Sequence, residues 1–399
     1  MRYIKKKHII LSMLASIAMT SCQREPMLYL HEESKDATMD LPAVNIELSS
    51  IWDYRIDYDV DYDWRTEWKY GWDATDESLF GKLGYTEPTA FDVRRYFTGD
   101  VPKGKHSSPY KHTISGTSLF ATYDYGYWDI LAWNDIDTPD GVQSVRIDEE
   151  CSYDEVTANT GETMMAAPHY SKVFTRSFYQ PEELFSGYEQ GIEINKNLDG
   201  FTFDADRNCW VRTLKMNLQP VTYIYLVQVI LHNNNRSGRI ITSIDGNANL
   251  SGMARSVTLN TGITGSDAIT VNFDTRMKKD VALSDGTLAD IIGGKVLTFG
   301  IPKINPISLN TRSYKESLQQ VGTADLNNRH YVDLTMQFSN GMDSTFVFDV
   351  TNQVRKLYRG GVITIELDMD HVPVPVRPGG SGFDAVVKDF EEKEWEFDM

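Results

Sequence analysis

The chain has 399 residues and a formal net charge of −18. So acidic a surface cannot neutralise a phosphate backbone, which excludes nucleic-acid binding, and it disfavours lying flat on anionic lipid. The length fits two domains, with a short segment ahead of them and a short tail behind.

Residues 1–21 read as a secretory signal peptide. Met1 to Lys7 is basic, Ile9 to Met19 is mostly apolar, and Thr20 and Ser21 form a small-residue exit. The apolar run is too short to span a bilayer as an anchor. The exit leads into Cys22, and "AMTSC" resembles a bacterial lipobox, which implies cleavage before Cys22 and lipidation of its thiol. A multiply acylated cysteine holds a membrane where one chain gives only marginal binding. Losing residues 1–21 removes Arg2, Lys5, Lys6 and Lys7 and no acid, so −18 becomes −22. The polar, aperiodic stretch up to residue 41 then serves as a lipidated tether over 22–41.

From residue 44 the dominant period is two. In "DYRIDYDVDYDW" (53–64), Tyr54, Ile56, Tyr58, Val60, Tyr62 and Trp64 alternate with Arg55 and aspartates, as a strand with one wet face does. Asp57, Asp59 and Asp61 mimic the start of a calcium loop, but its sixth and twelfth positions hold Tyr62 and Trp68, not glycine and glutamate. Trp68 and Trp72 follow with Tyr70. They either cap the end of a core or offer exposed rings to a glycan or a protein partner.

Further β-rich runs at 90–97, 113–122, 127–134 and 142–147 complete an N-terminal domain over 42–205. Strand runs from 210–218 to 362–369 build a C-terminal domain over 206–376, with the seam at 200–208 in "GFTFDADRN". The clearest hairpin pairs 331–338 with 344–350 through Asn340-Gly341. Helix signals are confined to "PEELFSGYEQ" (181–190), "TLADIIGG" (287–294) and "TNQVRKLY" (351–358). The tail, 377–399, opens with a flexible "RPGGSGF" and carries "FDAVVKDF", a strand that adds to its own sheet or to a partner's edge. Many short strands broken by Gly, Asn and Asp give an all-β chain with few short helices.

Signs of catalysis are missing. There is no GxSxG, HExxH, P-loop or GxGxxG, and the histidines do not pair at metal-ligand spacing. Acids are plentiful, yet nothing marks out a glycosidase pair. We therefore expect a protein that is not an enzyme, with no cofactor and no resident metal. Cys151 and Cys209 either bridge in an oxidising compartment or remain separate core thiols. Asp343-Ser344-Thr345 resembles a bacterial O-glycosylation motif, which would modify Ser344.

The order of several short motifs carries a family resemblance. They are "TSC" at 20–22, "VDYDW" (60–64), "YWDILAWN" (127–134), "LSGMARSVTLNTG" (250–262), "LTFG" (297–300), "FVFDVTNQV" (346–354) and the tail that begins "GGSGF". Together they resemble a family of Bacteroidales lipoproteins that accompanies fimbrillins, and more distantly the minor-fimbrium anchor and accessory proteins. That resemblance implies two tandem β-sandwich domains of the transthyretin-like, fimbrillin-like kind. It also implies a non-catalytic lipoprotein of the outer membrane and cell surface, acting as fimbrial anchor, accessory subunit or adhesin. Its partners would be the outer membrane, through the lipid, and fimbrillin or other pilus subunits. The competing reading is a surface lipoprotein that binds host or bacterial glycans through exposed tryptophans.

Overall fold

A computed structural model describes residues 41–50, 64–102, 104, 106–136, 144–149, 156–162, 177–236, 238–302 and 329–376. The signal peptide, Cys22, the tether up to residue 40, the aspartate run of 51–63, Cys151 and the tail of 377–399 lie outside the described residues.

The first strands are β1 (Ala43–Ser50), β2 (Ala90–Gly99), β3 (Tyr110–Ser115), β4 (Ser118–Thr122) and β5 (Gly126–Asn134). Between β1 and β2 come two short helices, α1 (Trp64–Glu67) and α2 (Ala74–Phe80). Next are β6 (Val145–Asp148), β7 (Thr157–Thr160), β8 (Ser177–Phe178), β9 (Phe185–Ile194), β10 (Thr202–Asp204), β11 (Cys209–Pro220) and β12 (Tyr223–His232). They are followed by β13 (Ile241–Ala254), β14 (Ser256–Thr258), β15 (Ala268–Asp274), β16 (Arg276–Ala282) and β17 (Leu288–Thr298). The hairpin β18 (Tyr331–Phe338) and β19 (Asp343–Asp349), helix α3 (Thr351–Lys356) and β20 (Gly361–Asp368) complete the described chain. No helix among the described residues is long and apolar enough to cross a membrane.

The described chain divides into two compact units. The smaller holds residues 41–46, 119–126 and 193–214, and the larger holds the rest. In the larger unit a four-stranded sheet, β16-β17-β12-β20, faces a five-stranded sheet, β19-β18-β13-β15-β8. The layer between them is apolar: Tyr225, Val227, Val229 and Leu231 of β12 meet Leu250 of β13, Val271 of β15 and Leu334 and Met336 of β18. Every side chain of β12 up to Leu231 is buried, so this strand has no wet face. Its even-numbered residues, Ile224, Leu226 and Ile230, belong to a second apolar layer on the far side of the same sheet. A continuous apolar run is what a strand covered on both faces requires.

The all-β class read from the sequence holds. The expected hairpin forms with Met336 opposite Ser344, and Gly341 takes a φ of 77° in its turn. The helix expected at 351–358 is α3. Its Gln353 side chain donates to the Thr364 carbonyl at 2.8 Å and accepts from the Thr364 N–H at 2.9 Å. The amide thus satisfies backbone groups of β20 as a neighbouring strand would, which blunts an edge.

Two expected helices are strands instead. "PEELFSGYEQ" leads into β9, and "TLADIIGG" lies in β17. In the second case the paired glycines are not a helix stop. Gly293 and Gly294 sit in the strand interior, where other groups approach closely. The strand expected over 44–64 is described as β1 at its start, and Trp64 opens α1 rather than closing that strand. Strand pairing also crosses the expected seam at 205 and 206. β7 pairs with β14 and β8 pairs with β15, so residues from both sides of the seam share sheets.

Candidate functional site

Two aromatic clusters differ in exposure: one holds Trp68 and Trp72, and the other holds Trp210. The first is a strap over residues 64–85 that covers the outer face of the four-stranded sheet. Trp68 and Tyr70 are buried there with Ile224, Leu226, Ile291 and Val362, and Trp64, Trp72 and Tyr85 pack around them. The Trp68 ring centroid lies 5.3 Å from Tyr70 and 6.4 Å from Trp72. The Trp68 indole N–H donates to the Gly71 carbonyl at 3.2 Å.

One row of residues across the sheet forms the seat of this strap. In register it runs Arg276 on β16, Gly293 on β17, Gln228 on β12 and Thr364 on β20. Gly293 supplies room: a Cβ there would lie 2.4 Å from the Tyr70 ring. Gln228, fully buried, accepts from the Lys69 and Tyr70 N–H groups at 2.8 and 3.2 Å. Its amide nitrogen donates to the Glu67 carbonyl and the Thr364 hydroxyl at 2.8 and 2.9 Å. A single side chain therefore satisfies the backbone of an irregular segment that would otherwise be buried unpaired.

The strap ends in α2, which is capped and clamped by two aspartates. Asp73 accepts from the Thr75 and Asp76 N–H groups, and Asp76 accepts from the Asp73 N–H at 2.9 Å, a reciprocal capping box. The Asp76 carboxylate also accepts from the Tyr70 hydroxyl at 2.8 Å, Arg276 at 2.7 Å and Lys278 at 2.6 Å. Burial alone would raise the Asp76 carboxyl. Lys278, the Asp73 N–H, Arg276 and the Tyr70 hydroxyl outweigh it and hold the group below the usual carboxylate range. Burial, then the hydrogen bond to Asp76, pushes the Tyr70 hydroxyl well above its ordinary value. These groups are all partnered within the protein, and together they clamp Tyr70 and α2 to Arg276 and Lys278 of β16.

The second cluster belongs to the smaller unit. Strands β10 and β11 form a hairpin in which Phe203 faces Trp210 and Asp204 faces Cys209. Asp204 organises its turn, accepting from the Asp206 and Arg207 N–H groups at 3.0 and 3.1 Å, and from the Arg207 guanidinium at 2.8 Å. The Arg207 backbone and side chain together hold the Asp204 carboxyl below its usual range. Phe203 and Trp210 meet edge to face at 5.6 Å and 66°. The Arg207 guanidinium lies 4.8 Å over the Phe120 ring of β4. None of the three rings is in a core: Phe203 is 51% exposed, Trp210 40% and Phe120 39%.

The residues singled out from the sequence fall as follows. Trp68 is only 8% exposed, so of the two roles open to it, core cap or exposed ring, it takes the first, beside the seat that Gly293 and Gln228 provide. Trp72 is half-buried against Phe80 at 5.5 Å. Ser344 is half-buried near the start of β19. Cys209 is a half-buried thiol on β11, and Cys151, its suggested partner, is outside the described residues, as is Cys22. Among the described residues no three His, Cys, Asp or Glu side chains converge as metal ligands. Phe203, Arg207 and Trp210 do not stand out in the sequence, because "GFTFDADRN" reads as a seam. The signal available was Asp204-x-x-Arg207, a turn, flanked by aromatic residues at matching positions.

No family model matches the chain. No curated protein matches it either. Solved structures do. A candidate adhesin from Bacteroides ovatus is 15% identical, with a TM-score of 0.47 over 86% of this chain and 96% of that one. Candidate polysaccharide-binding proteins from Bacteroides thetaiotaomicron are 10% identical, with a TM-score of 0.41 over 82% and 91%. The fimbrial anchor protein Mfa2 from Porphyromonas gingivalis is 12% identical, with a TM-score of 0.39 over 81% and 90%.

Proposed function

We propose that this chain is a cell-envelope lipoprotein with a structural, non-catalytic role, as fimbrial anchor, accessory subunit or adhesin. The acylated Cys22 would hold the outer membrane, the tether would give reach, and the β-rich body would face a partner at the cell surface. The observation that carries the reading is how the polar groups are used. The most connected charged cluster of the strap, Asp73, Asp76, Arg276 and Lys278, closes on itself as a clamp, while large aromatic rings stand exposed on the β10–β11 hairpin. A protein built to touch a partner has that pattern; a catalytic cleft needs convergent, perturbed groups open to a substrate. The signal-peptide pattern ending at Cys22 supports export and anchoring.

The test is membrane fractionation and palmitate labelling of the wild type and Cys22→Ala. Label and membrane retention that both disappear with the thiol support the anchor. Unchanged retention in Cys22→Ala contradicts it. Affinity purification from envelopes then asks for a pilus subunit at stoichiometric yield, and its absence would count against the fimbrial part.

A further inference from the structure

The rings on the β10–β11 hairpin are costly to leave in water. A strand pair that needed them only for its own stability would bury one face of each, as the strap buries Trp68. Instead Phe203 and Trp210 touch edge to face, a geometry that leaves ring faces uncovered, and both are at least 40% exposed. The Arg207 guanidinium in the same turn lies over the Phe120 ring, which helps to fix its position. Planar apolar faces beside planar polar groups are the two halves of a pyranose site. Ring faces take the C–H face of a sugar, and a guanidinium and a carboxylate take neighbouring hydroxyls.

The charge chooses between ligands. Arg207 is already ion-paired with Asp204 at 2.8 Å, and Asp206 lies next to it in the turn, so these three residues sum to −1. No unpaired cation of the turn is offered to an anion, and the whole chain is acidic. Anionic lipid, and sialylated or sulfated glycans, would therefore be repelled.

We infer that Phe203, Trp210 and Arg207 form a binding platform for an uncharged pyranosyl glycan. Trp210 and Phe203 stack on the sugar, and Arg207 and Asp204 bind its hydroxyls. This rests on the adhesin part of the reading above. It does not require the lipid anchor, and the experiment leaves anchoring unchanged, so the two can fail separately.

The experiment applies the full chain in detergent to an array of neutral, sialylated and sulfated glycans, then titrates the best neutral glycan by calorimetry. Trp210→Ala should weaken binding at least about tenfold, the size expected when a ring's contact area is lost. Trp210→Phe should keep most of the affinity, and Trp68→Phe, in the strap, should keep all of it. Circular dichroism melts check that each variant folds. If Trp210→Ala does not fold, Arg207→Gln replaces it, with the same direction of effect. Absence of any neutral-glycan binding overturns the inference. So does unchanged affinity in a folded Trp210→Ala, or a preference for the charged glycans. Loss of self-association on Trp210→Ala, with no glycan bound, would assign the platform to a second copy of the chain and also overturn it.

Discussion

The strap and the hairpin use the same side chains to opposite ends. Each gathers tryptophan, tyrosine or phenylalanine beside an arginine and an aspartate. In the strap the rings are inside, over Gly293 and Gln228, and the charges hold them there. In the hairpin the rings are outside, and the charges pair with each other in the turn beside them. The difference lies in what stands opposite. The four-stranded sheet offers a glycine where Tyr70 must settle and an amide where its backbone must bond. For the hairpin, Phe203 and Trp210 face each other across two strands. Aromatic content alone therefore says nothing about exposure; the partner row decides it.

Variants of the two regions test that contrast, beginning with the largest effect. Tyr70→Ala removes a buried ring and leaves Asp76 without its hydroxyl donor, so unfolding free energy should fall by about 3–5 kcal/mol in denaturant titration. A loss below 1 kcal/mol would mean that the strap is not core. Gln228→Leu keeps the volume but strips the partners from the Lys69 and Tyr70 N–H groups and the Glu67 carbonyl. About 1–3 kcal/mol should be lost, and amide exchange at 69 and 70 should speed up with it.

Acid gives a graded version of the same break. Asp76 has a folded-state value below its unfolded one near 4, so its contribution is fully present above about pH 4 and is lost as the pH falls through the folded value. Asp76→Asn lacks it throughout. The stability gap between wild type and Asp76→Asn should be widest near neutral pH and should narrow on acidification below about pH 4. A gap that stays constant with pH would remove the carboxylate from the clamp. The smallest change belongs to the hairpin: Trp210→Ala should cost less than about 1 kcal/mol, the worth of one cross-strand pair.

Much of this fold was legible because alternation is a local signal. The runs behind β2, β5, β12, β18 and β20 stand in the sequence where the strands are, and Asn340-Gly341 marks the hairpin turn. The uninterrupted apolar run of β12 already implies cover on two sides, although not what supplies it. "TLADIIGG" misled because a glycine pair looks the same as a helix stop or as a gap for a ring, and Tyr70 lies more than 200 positions away in the chain. α2 was missed because its capping box is built from two aspartates, Asp73 and Asp76, rather than the usual serine and glutamate. Trp68 and Trp72 stand out in the sequence with core and surface roles both open, since Gln228 and Gly293 carry the information that decides. The hairpin platform has no long-range seat, so its parts, Phe203, Arg207 and Trp210, lie within eight positions and were readable in principle.

The most direct test of the contrast is side-by-side denaturant unfolding of Trp68→Ala and Trp210→Ala. A ring seated in the strap should cost about 3–5 kcal/mol when removed, and a ring on the hairpin less than about 1 kcal/mol. Equal losses, or the larger loss at Trp210, would contradict the account.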